Sequence, residues 1–149
     1  MISKRIKAAA SAVTVAGAVV AAIVVPATNA VAYNSGGLVL DVMVQSPGQL
    51  LARGAAVSVP VSYTCSGASQ YAALYVSVAQ RVGGKASATG DGAVRTLTCT
   101  GEIQNVSVEV LASGGQAFTR GEAFVQARIS DCYSVCGDEY DSRTVTFER

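Results

Sequence analysis

The chain has 149 residues, eleven basic and ten acidic side chains, four cysteines and no histidine. That length suits a single domain, and a near-neutral charge without a basic stripe argues against nucleic-acid binding. Without histidine, the commonest general base and metal ligand is missing.

The chain opens on a basic, then apolar, segment. Lys4, Arg5 and Lys7 precede an unbroken apolar or small run from Ala8 to Val25; Pro26 ends it, and Ala30-Val31-Ala32 supplies small residues at a cut site. Charged start, apolar middle and small-residue exit mark a secretory signal peptide. A membrane anchor is the competing reading of so long a run, but Ala, Gly, Ser and Thr fill it rather than Leu, and a cut site follows directly. Residues 1–32 are therefore expected to be removed, with cleavage after Ala30 as second choice. The mature domain, 33–149, is expected to be secreted, without a membrane attachment. Loss of the three leader cations leaves eight basic side chains against ten acidic ones, a net charge of −2.

Short alternating runs follow, separated by Gly, Ser and Asp. Residues 38–45 open the series. In 56–65, Val57, Val59, Val61, Tyr63 and Cys65 share a face; in 72–80, Leu74, Val76 and Val78 alternate with Ala73, Tyr75 and Ser77. Strands are also expected at 94–100, 105–111, 122–130 (Ala123, Val125, Ala127 and Ile129 inward) and 143–148. The glycine-rich run 83–92 reads as a loop or weak edge hairpin. Pro60 removes a ladder donor, so its strand is expected at an edge or at a bulge. Period-two alternation with no helical period predicts an all-β fold, a seven-stranded antiparallel sandwich.

Four pieces carry a resemblance: SYTCSG at 62–67, LYVSVAQ at 74–80, LTCTG at 97–101 and AFTRGEAFVQARISDC at 117–132. They are similar to a family of small secreted immunoglobulin-like domains from actinobacteria, which implies an Ig-like sandwich and export and says nothing about activity. FTRGEAFVQARI also resembles the approach to strand F of immunoglobulin and fibronectin type III domains, with Phe124 in place of the corner tyrosine and no Trp on strand C.

An up-and-down count of the expected strands brings Cys65, Cys99, Cys132 and Cys136 to one pole. Four cysteines allow three pairings. Cys65–Cys99 with Cys132–Cys136 is preferred, because Tyr-Thr-Cys-Ser-Gly and Leu-Thr-Cys-Thr-Gly are alike and a three-residue gap suits a pinched loop. Cys65–Cys132 with Cys99–Cys136 stays open. An intervening strand would hold the first pair's backbones about 10 Å apart, and a bridge needs Cα atoms within about 7 Å. Zinc is disfavoured without histidine or paired close spacings; in an oxidising compartment the cysteines are expected as disulfides.

For chemistry, the mature region offers one lysine, Lys85, as a partner for a nucleophile. Asp131, Asp138, Glu139 and Asp141 could serve acid–base work or calcium, but read more simply as a solvated, acidic disulfide loop. No catalytic residue, metal or cofactor is expected. The candidate binding residues are Tyr133, Tyr140, Asp138 and Glu139 on the loop 131–142, clustered at the cysteine pole with loops 66–71 and 100–104. Tyr71 and Tyr75 form a competing face, read as outer sheet surface. The expected function is a secreted, non-catalytic binding or surface-interaction module for a protein or small molecule outside the cell. The alternatives are a secreted protease inhibitor and a small-ligand carrier. The carrier rests on the end of the chain around 131–142, which resembles neocarzinostatin-like apoproteins: secreted actinobacterial proteins that hold an enediyne in a cleft and use two disulfides. Their first disulfide closes a short loop, whereas Cys65 and Cys99 here are 34 residues apart.

Overall fold

A computed structural model describes residues 37–68, 71–84, 86–132 and 136–149. The expected signal peptide lies outside the described residues, as do Lys85 and Tyr133. Alternation decides the elements. In β3 (Ala56–Ser66), Val57, Val59, Val61, Tyr63 and Cys65 turn inward. In β7 (Gly121–Cys132), Ala123, Val125, Ala127 and Ile129 do so. β1 (Val39–Val44), β4 (Ala73–Val82) and β6 (Gln104–Ser113) match the runs at 38–45, 72–80 and 105–111. β8 (Cys136–Glu148) begins earlier than the expected 143–148. The described residues contain no α-helix.

Two strands were not expected. β2 (Gly48–Leu51) follows β1 after Ser46-Pro47, whose peptide bond is cis. β5 (Ala86–Val94) occupies the glycine-rich run, and the expected strand 94–100 gives way to irregular chain from 95 to 103. The direction count survives, because β5 takes the missing strand's place.

The expected sandwich needs correction. Seven strands close into a barrel, β2–β3–β6–β5–β4–β7–β8 and back to β2, with β1 beside β3. All pairs are antiparallel except β2–β8, which run parallel through Gly48↔Phe147 and Gln49↔Glu148. At the other joint, Thr89, Gly90 and Asp91 of β5 pair with Ser113, Ala112 and Leu111 of β6. Small residues permit this contact. A Cβ added at Gly90 would stand 2.2 Å from the Leu111 carbonyl oxygen, and one at Gly92 2.2 Å from that of Glu109. The glycines that suggest a loop in the sequence are what let β5 lie against β6.

Pro60 lies in the barrel wall rather than at an edge, with Ser107 of β6 opposite it. Its carbonyl accepts from the Gln45 N–H at 2.8 Å. A strand residue's N–H and C=O point to the same side, so the missing donor faces the interruption between β1 and β2, where no ladder needs it.

The interior is filled by side chains, including Val44, Val59, Leu74, Val125, Ile129 and Phe147. Each such burial stabilises the fold by about 1.5–3 kcal/mol. All four cysteines are bridged, Cys65 to Cys99 and Cys132 to Cys136. The spacing objection dissolves because Cys99 is on no strand. The irregular segment folds over the end of β3, bringing the Cα atoms to 4.7 Å, and Gly101 N–H donates to the Cys65 carbonyl at 2.9 Å. Cys132 and Cys136 are direct cross-strand partners of β7 and β8.

Candidate functional site

The strand ends place all four cysteines at one pole, beside the irregular segment 95–103. β7 reaches Cys132 and β8 starts at Cys136, so most of the expected loop 131–142 is strand. Its candidates are dispersed accordingly. Asp138 and Tyr140 project from the outer face of β8. Glu139, on the opposite face and half-buried, borders a hollow toward β1 with Asp41, Met43 and Arg143. Tyr133 falls outside the described residues.

The acids each have a structural setting. Asp141 Oδ2 accepts the Val44 N–H at 2.7 Å and pairs with Arg143 at 2.8 Å, tying β1 to β8 where no ladder joins them. Asp138 pairs with Arg128 at 2.8 Å. Asp131 is buried near the end of β7. Among the described residues, no three acidic or sulfur side chains stand close enough together to hold a metal ion.

Register assembles a different site on the outer face of β5, β4, β7 and β8. Tyr75 of β4 sits opposite Arg128 of β7, which sits opposite Tyr140 of β8. The next row outward-facing on these strands is Asp91, Ser77, Gln126 and Ser142. Tyr75 and Tyr140 are 41% and 55% exposed, too open to be core residues turned sideways. Between the two rows lies a shallow hollow of about 440 Å³, lined by Tyr75, Ser77, Asp91, Gln126, Arg128 and Tyr140.

Arg128 is held from two sides. Its Nε and Nη2 both donate to Asp138 Oδ1, at 3.0 and 2.8 Å, and its guanidinium carbon lies 5.6 Å from the centre of the Tyr140 ring, within cation–π range. The hydrogen bond and charge of Asp138, then Tyr140 and Tyr75, raise its pKa further above an already high value, so Arg128 stays charged. Two tyrosines thus flank a positioned cation across three adjacent strands.

Asp138 and Tyr140, expected on a loop, thus stand on a sheet face instead. Tyr75 was on the competing face. Arg128 was missed. Alternation in 122–130 does turn Phe124, Gln126 and Arg128 outward, but only the register places Arg128 between two tyrosines. No family model, no curated protein and no solved structure matches this chain.

Proposed function

We propose that the chain is an exported, non-catalytic binding domain that recognises a protein partner through the outer face of β5, β4, β7 and β8. The Tyr75–Arg128–Tyr140 row carries this reading. Tyrosine and arginine are enriched where protein interfaces concentrate their binding energy, and holding Arg128 against Asp138 lowers the ordering cost of association. Export is supported by the basic-apolar-small leader and by two disulfides, which fit an oxidising compartment. The resemblance to small exported actinobacterial domains points the same way. Lack of catalysis is supported by the missing histidine and by the engagement of Asp138 and Asp141 with arginines.

The test immobilises the purified, oxidised protein and captures partners from the medium and surface proteins of the producing cell. Tyr75→Ala/Tyr140→Ala should lose the captured protein by about tenfold or more, with circular dichroism unchanged. Ser107→Ala, on the part of β6 that pairs with β3, should retain it. Equal capture by the double tyrosine variant would overturn the assignment of this face.

A further inference from the structure

The end of the barrel opposite the cysteines holds a second, differently built hollow. It measures about 670 Å³ and is lined by Leu50, Arg53, Phe118, Thr119, Arg120 and Arg149. The three arginines come from separate places: the β2–β3 turn, the β6–β7 connection and the residue after β8. Among the described residues none of them forms an ion pair. The acids nearest in sequence, Glu122 and Glu148, are exposed and make none with them.

Both supporting segments are fixed. The buried Gln80 side chain clamps the β6–β7 connection: its Oε1 accepts the Thr119 N–H at 2.8 Å, and its Nε2 donates to the Thr119 carbonyl at 2.9 Å. Phe118 N–H donates at 2.8 Å to the carbonyl of Gly54, joining that connection to the β2–β3 turn. Within this turn Ala52 and Arg53 have φ of 45° and 58°, a left-handed conformation that residues with side chains disfavour. Strained non-glycine backbone of this kind concentrates at ligand sites. Here it holds Arg53 in the wall of the hollow that Arg120 also lines.

We infer that this pole is an anion site for a ligand carrying two or more closely spaced phosphate or carboxylate groups. Guanidinium forks match the oxygen geometry of both groups and form charge-assisted hydrogen bonds to them. The hollow is larger than one such group needs, and the guanidiniums of Arg53, Arg120 and Arg149 reach it from three separate segments. The site is independent of the tyrosine face, so either can fail alone.

Calorimetric titration of the purified protein with sodium tripolyphosphate and, separately, with citrate at low ionic strength tests the inference. Saturable binding of at least one probe is expected; which of them binds identifies the acid group. Arg53→Gln/Arg120→Gln should weaken it by about tenfold or more, while Arg95→Gln at the cysteine pole should leave it unchanged. Circular dichroism checks that each variant is folded. No saturable binding of either probe, or equal weakening by Arg95→Gln, would overturn it.

Discussion

Glycine acts in opposite ways at two positions in β5 and one beside it. Gly90 and Gly92 touch the β6 backbone, which cannot swing aside like a side-chain tip. Gly90→Ala or Gly92→Ala should therefore cost about 2–3 kcal/mol in urea unfolding, the range of overpacked cores. Gly84 has open space around a would-be Cβ and no left-handed φ. Gly84→Ala should be neutral or stabilise by about 0.5 kcal/mol through the unfolded chain. The same experiment separates two roles for Asp141. Asp141→Ala strands the N–H of buried Val44 and should cost about 2 kcal/mol, while Asp141→Asn keeps an acceptor and should cost less. Asp138→Asn should leave the melting temperature nearly unchanged, because its bond to Arg128 is exposed, and yet weaken partner capture by freeing that arginine.

At the scale of elements, what was legible follows from whether the signal is local. Val57, Val59 and Val61 alternate with smaller or polar residues, and that pattern alone specifies β3 and its inward face. β5 has no such pattern: its inward positions are Ala88, Gly90 and Gly92, so a strand shaped by close backbone approach looks like a loop. The parallel joint of β2 to β8 links Gly48 to Phe147, nearly a hundred residues on, and nothing local announces it. The candidate site divides similarly. Tyr140 and Asp138 stand out by residue type, but Arg128 becomes meaningful only through its register with Tyr75 and Tyr140. The two disulfides differ in the loops they close, with sequence separations of 34 and 4. Chain-entropy estimates give about 4 and about 2 kcal/mol. Replacing Cys65 and Cys99 together by alanine should thus lower unfolding free energy more than replacing Cys132 and Cys136, by about 2 kcal/mol; equal losses would contradict the loop-length account.

For the molecule as a whole, closure is uneven. β7 pairs with β8 through twelve residues, whereas β5 meets β6 through three and β2 meets β8 through two. Local opening should begin at the short joints, so hydrogen exchange at the amides of 111 and 113, which face β5 since that of Ala112 donates to Ala55, should outpace exchange at 123–129. The long pairings of β4, β7 and β8 make a stable wall, and the tyrosine–arginine row stands on it. Binding residues borne by rigid strands lose little freedom on association, which is what a recognition face requires. The most direct measurement of that claim is hydroxyl-radical footprinting of the free protein and of its complex with the captured partner. Side-chain oxidation of Tyr75 and Tyr140 should fall on binding, while that of Ile103, exposed elsewhere on the barrel, stays constant. Unchanged oxidation at both tyrosines, with protection appearing at Ile103 instead, would contradict it.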